Sequence, residues 1–149
     1  KLTQVASPKS LSRVREPERS IIKVAAVQIN HNVDPAAHTA KLLEAIEIAV
    51  DAGAQIIFLP ELSFQDTHGG ANRNAEQLES GPTFSLVSQQ AKKYGVVIHA
   101  SLYQEAGLTD GRGLNTAIVV GSHGELLGST PKLHIPVTEG YFEDKYFAP

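Results

Sequence analysis

The run Gln55-Ile56-Ile57-Phe58-Leu59-Pro60-Glu61-Leu62 constrains the fold more than any other stretch of this chain. Ile56 to Leu59 are continuously apolar and rich in β-branched and aromatic side chains, the pattern of a short strand buried on both faces. Pro60 has no N–H to offer a ladder, so the strand ends there. Glu61 follows at the carboxyl end of a core strand, where open α/β sheets place their chemistry. The plainer alternative is a solvated carboxylate at a strand end.

The flanks supply a layer for that strand. Ile21 to Ile29 read as a first strand. Asp34 then offers a helix N-cap, Pro35 suits the first helical position, and Leu42, Leu43, Ile46, Ala49 and Val50 form one stripe. Gly53 ends the helix, and a short link to Ile56 predicts a parallel, right-handed strand–helix–strand unit. Gly81-Pro82 opens a second helix with Phe84, Val87, Ala91 and Tyr94 on one face, and Gly95 closes it. Val96 to Leu102 and Asn115 to Val120 read as strands, with Ser122-His123-Gly124 turning into a last strand, Glu125 to Gly128. The predicted order is β-α-β-α-β-β-β, an α/β layer whose final strands run antiparallel.

Three stretches lack such a period. Lys1 to Ser20 reads as a flexible tail ahead of one domain spanning 21–149. Glu61 to Ser80, which includes Asp66, Thr67, His68, Gly69, Gly70 and Asn72, reads as a long functional loop. Pro136 to Pro149 threads Tyr141, Phe142, Tyr146 and Phe147 among Glu139, Glu143, Asp144 and Lys145, and reads as a loop held over a site.

Composition narrows the function. The 149 residues, 42% hydrophobic and 19% charged, suit a soluble globular domain. A net charge of -3 gives no electrostatic case for nucleic acid or an anionic membrane. No apolar run approaches the roughly 20 residues of a membrane span, and 1–20 carry no apolar core of a secretory signal. With no cysteine, disulfides and a thiol nucleophile are both excluded from these residues. The sequence starts without Met and stops at Phe147-Ala148-Pro149 in mid-pattern, as expected of a segment of something longer.

There is no glycine-rich phosphate loop and no Gly-x-Ser-x-Gly elbow, and the histidines at 31, 38, 68, 99, 123 and 134 lack metal-ligand spacing. No cofactor or metal is therefore expected. His99, inside a strand, reads as a hydrogen-bonded core residue, and the other histidines as structural or solvated. What remains is a pair of groups at two strand ends, Glu61 and Lys132, the latter in Thr130-Pro131-Lys132-Leu133-His134-Ile135-Pro136. A carboxylate can act as a general base, and an ammonium beside it can stabilise an oxyanion. Spacing alone leaves open that the two are unrelated surface charges.

Four ordered motifs resolve that choice by likeness. Phe58-Leu59-Pro60-Glu61-Leu62, Asn115-Thr116-Ala117, Lys132-Leu133-His134-Ile135-Pro136 and Glu143-Asp144-Lys145-Tyr146-Phe147-x-Pro resemble the nitrilase superfamily of carbon–nitrogen hydrolases. Lys23 to Gln28 is similar to that family's first strand, so the resemblance runs from Ile21 to Pro149. It implies an α-β-β-α sandwich of which this chain holds about the first half. It also implies Glu61 as general base, Lys132 as oxyanion stabiliser and Glu143 as supporting carboxylate, with Glu139 the weaker candidate for that last role. His134 and Tyr141 would shape the substrate site. The nucleophile of the family is a Cys, here expected beyond Pro149. One departure stands out: Thr130-Pro131 precedes the lysine where the family has an aromatic–basic pair.

Within the family the likeness is greatest to enzymes acting on N-carbamoyl amines and N-carbamoyl amino acids. The expected function is hydrolysis of non-peptide C–N bonds in a small amide or ureido substrate, in the cytoplasm and in the setting of polyamine metabolism. The expected partner is a second copy of the chain or a complementary C-terminal half, with no nucleic acid or membrane involved. The reading from a different class is a non-catalytic fragment or subunit with a structural or docking role.

Overall fold

Two capped helices and five strands alternate in the order the periodicity predicts. The computed structural model describes residues 21–64 and 75–149, the side chain of Tyr141 excepted. The tail at 1–20 lies outside the described residues, as do Asp66, Thr67, His68, Gly69, Gly70 and Asn72. Helix α1 spans Pro35–Asp51; Asp34 caps it by accepting a 3.0 Å hydrogen bond from Ala36 N, and His38, Leu42, Ile46 and Ala49 are its buried stripe. Helix α2 spans Pro82–Tyr94 and ends at Gly95, whose φ of 66° is left-handed backbone that glycine adopts without strain.

The main sheet contains β1 (Val24–Ala26), β2 (Ile56–Phe58), β3 (Val97–Gln104), β4 (Leu114–Val120) and β5 (Leu126–Pro131), in that spatial order. β1, β2 and β3 run parallel, whereas β4 and β5 join by antiparallel pairing. Two successive right-handed crossovers that step in one direction put both helices on the same face. The core agrees, since Leu42 and Ile46 of α1 and Val87 and Ala91 of α2 pack with Ile57, Ile98 and Ile118 of the sheet. Truncating any one of these isoleucines to alanine should cost about 2–5 kcal/mol. The two helices thus form one layer on one face of the main sheet.

The opposite face explains the first correction. The strand at Ile56–Leu59 is not buried on both faces: Ile57 is fully buried, but Phe58 is 43% exposed, and Val24, the β1 partner of Ile56, is 55% exposed. Both helices among the described residues pack on the other side, with Ile57, Ile98 and Ile118. The first strand is also shorter than Ile21–Ile29, because it is a sheet edge whose ladder extends only from Lys23 O, which accepts from Gln55 N, to Val27 N, which donates to Phe58 O. His99 faces the same open side, against the Phe58 ring at 5.4 Å. Its buried Nδ1 has no hydrogen-bond partner among the described residues, so it is not the satisfied core histidine that its strand position suggests.

Beyond β5, the segment expected to be a loop has structure of its own. β6 (Val137–Thr138) pairs with β7 (Tyr141–Phe142), and a single 3-10 turn follows at Glu143–Lys145. The chain then returns to the main sheet, where Ala148 N donates to Gly113 O and Gly113 N donates to Tyr146 O. Buried Phe147 stands edge-on to Tyr103 at 5.2 Å, which anchors this return.

Candidate active site

Strand direction brings the candidate residues to one end of the sheet. Because β5 is antiparallel to β4, and β4 to β3, the carboxyl ends of β2 and β5 lie at the same end as the start of β4. Glu61 leaves β2 there, Lys132 leaves β5 there, and Asn115 opens β4 there. After Pro60 the chain bends across β3: Leu62 N donates to Ser101 Oγ at 3.2 Å, and Ser63 N donates to Ser101 O at 3.1 Å. Leu62 takes a φ of 49°, uncommon for a residue with a side chain, and is held in that turn by burial beside Tyr103 and Phe147. His38 of α1 braces the same turn, its Nε2 lying 3.0 Å from Ser63 O while its Nδ1 accepts from Asn32 N at 3.3 Å.

The three charged residues meet. Lys132 Nζ is 3.0 Å from Glu61 Oε1 and 2.9 Å from Glu143 Oε2. Lys132 and Glu143 are mostly covered, while Glu61 keeps 57% of its side chain exposed. Burial works against the lysine's charge, yet the hydrogen bonds to Glu143 and Glu61, with the charges of both, outweigh it and raise its pKa above the ordinary 10.5. Lys132 is therefore an ammonium at neutral pH, suited to stabilising negative charge and unsuited to accepting a proton. Glu61 Oε1 also accepts from Asn115 Nδ2 at 2.5 Å.

The other candidates stand apart. His134 and Glu139 are exposed, and among the described residues no hydrogen bond joins either to this cluster. Tyr141 has a place in β7, but its side chain lies outside the described residues. No group of three or more His, Cys, Asp or Glu among the described residues could hold a metal ion. Sequence reasoning assigned no role to Ser101, Asn115 or His38. For Ser101 and Asn115 the available signal was a polar side chain in an otherwise apolar strand, which costs free energy unless it is hydrogen-bonded.

A parallel-to-antiparallel sheet with a Glu–Lys–Glu cluster at one end defines a class, and the chain matches it: residues 23–149 fit the carbon-nitrogen hydrolase family, to which this protein belongs. Among its relatives is the citrullinase of Francisella tularensis, 34% identical over 133 residues that make up 86% of this chain and 46% of that protein. The N-carbamoylputrescine amidase of Arabidopsis thaliana is 29% identical, over 90% of this chain and 46% of that protein. Of solved structures, a carbon-nitrogen hydrolase from Helicobacter pylori G27 superposes with a TM-score of 0.71 at 23% identity, covering 86% of this chain and 45% of that one. An amidase from Nesterenkonia sp. gives 0.68 at 24% identity, covering 86% and 48%. These likenesses establish the nitrilase-type α/β fold. The chain spans about half the length of the curated relatives it matches.

Proposed function

We propose that this protein supplies the Glu61–Lys132–Glu143 part of an amidase site that hydrolyses a linear amide or N-carbamoyl substrate. The observation that carries the reading is the lysine bridged between two carboxylates at 3.0 and 2.9 Å, at the end of the sheet where both strands deliver their loops. The citrullinase and N-carbamoylputrescine amidase names among its relatives support a ureido carbonyl, although one relative, 31% identical, is named a nitrilase.

The chemistry follows from the charges. A cysteine thiol from outside these 149 residues, which contain none, gives its proton to Glu61 and attacks the carbonyl carbon. The Lys132 ammonium stabilises the oxyanion that forms. The C–N bond then breaks as Glu61 passes the proton to the departing ammonia or amine. Water, deprotonated by Glu61, cleaves the resulting thioester and restores the thiol. Glu143 keeps Lys132 in place and charged while Glu61 cycles between carboxylate and acid.

Ammonia release by the native polypeptide that carries this chain tests the reading. N-carbamoyl amines and short amides should turn over and the corresponding nitriles should not, and Lys132→Met should lower kcat/KM by about 10²–10³-fold, as loss of one oxyanion donor does. Nitriles preferred over both carbonyl classes, or full activity in Lys132→Met, would overturn it. A native polypeptide that has no cysteine anywhere and no turnover would instead favour the structural, docking role.

A further inference from the structure

The Glu61 carboxylate is asymmetric in a way the charged cluster alone does not explain. Oε1 accepts two hydrogen bonds, from Lys132 Nζ at 3.0 Å and from Asn115 Nδ2 at 2.5 Å. Among the described residues Oε2 accepts none, and the side chain as a whole is 57% exposed. Asn115, 4% exposed, presents its amino group to Glu61 for a reason that lies one residue further in. Its Oδ1 accepts from Ser101 Oγ at 3.0 Å, and Ser101 Oγ in turn accepts from Leu62 N at 3.2 Å. A hydroxyl has one hydrogen to give. Since the Leu62 N–H occupies it as an acceptor, that hydrogen goes to Asn115 Oδ1 and turns Nδ2 toward the carboxylate. The relay closes on itself, because Leu62 is the residue next to Glu61 and its backbone is set by the same serine.

We propose that Asn115, oriented by Ser101, is a positioning residue that commits Glu61 Oε1 to structure and leaves Oε2 as the oxygen that takes and returns the proton. An oxygen held by two donors cannot turn toward a thiol without breaking both bonds. The open oxygen can reach a nucleophile or water at no such cost. Asn115 needs no contact with substrate for this. The charged groups that face Glu61 are Lys132, after β5, and, through Lys132, Glu143 after β7. Asn115 is the neutral donor opposite them.

The inference rests on Glu61 being the base, so the experiment separates the two claims. In the native polypeptide, Asn115→Ala should lower kcat roughly 10- to 100-fold, as misplacement of a catalytic group does, with KM changed by less than about threefold. Ser101→Ala should show the same fall in kcat at smaller size, and Ser101→Thr, which keeps the hydroxyl, should restore it. This serine pair decides the matter if Asn115→Ala does not fold. Unchanged kcat in Asn115→Ala, with Glu61→Gln inactive, overturns the positioning role alone. Activity retained in Glu61→Gln overturns the catalytic reading beneath it.

Discussion

At the scale of single residues, two titrating groups give opposite pH signatures. Lys132 has its pKa raised, so its contribution to stability is complete below the ordinary lysine value of 10.5 and is lost as pH climbs through the folded value. Urea midpoints measured between pH 9 and 12 should therefore fall more steeply for the wild-type chain than for Lys132→Met (about the range in which lysines titrate). His99 behaves in reverse. Burial, only partly offset by its own backbone, lowers its pKa below 6.5, so the folded protein holds the ring neutral. Its contribution is present above 6.5 and disappears as the pH falls from there toward the folded value. Replacing it in His99→Leu should flatten the acid side of the stability profile, and a loss as steep as that of the wild type would refute the assignment. Glu61 and Lys132 were legible from residue type and motif, because charges at the ends of apolar strands have few structural reasons to be there. The Ser101–Asn115 relay was not, since its partners are 14 residues apart in sequence and meet only when β3 and β4 pair.

At the scale of elements, helices were the most legible parts. Asp34-Pro35 and Gly95 mark ends chemically, and the stripe of Leu42, Ile46 and Ala49 is buried as its spacing requires. Strand ends were less so, since pairing sets them: β3 runs on to Gln104 and β5 to Pro131, beyond the apolar residues. Pro131 costs no ladder bond there because β5 is a sheet edge. Gly81-Pro82 marked the start of α2 correctly, but the group that caps it was not legible. Gly81 has no side chain to cap it, and Glu76, buried at 6% exposure, accepts from Thr83 N at 2.8 Å instead. Glu76→Ala should thus destabilise the fold by about 1 kcal/mol, the typical worth of a cap, while Glu76→Gln, which still offers an oxygen, should cost less in the same urea titration. Gly81→Ala should be the worst of the three, for its Cβ would stand 2.6 Å from Gln77 O.

At the scale of the whole molecule, the apolar run at Ile56–Leu59 predicted burial on both sides, whereas the described residues cover one. Val24 and Phe58 lie open on the other, with the unpartnered Nδ1 of His99 among them. A sheet face of this kind favours association. The 149-residue chain should sediment with an average mass that rises with concentration above 16.0 kDa, and a monomer at every concentration would contradict this. That the chain spans about half of its relatives fits the same picture. The proposed function asks that the sheet end carrying Glu61, Lys132 and Glu143 be complete within such a half.

The most direct test of that claim is kcat/KM for an N-carbamoyl amine, measured on the native polypeptide with and without Glu61→Gln. The substitution keeps shape and removes the base, so a fall of about 10²–10⁴-fold with an unchanged circular dichroism spectrum is expected. A variant that folds and keeps more than about a tenth of the wild-type value, well above what losing a general base allows, would show that the Glu61–Lys132–Glu143 cluster is structural and the chemistry lies elsewhere.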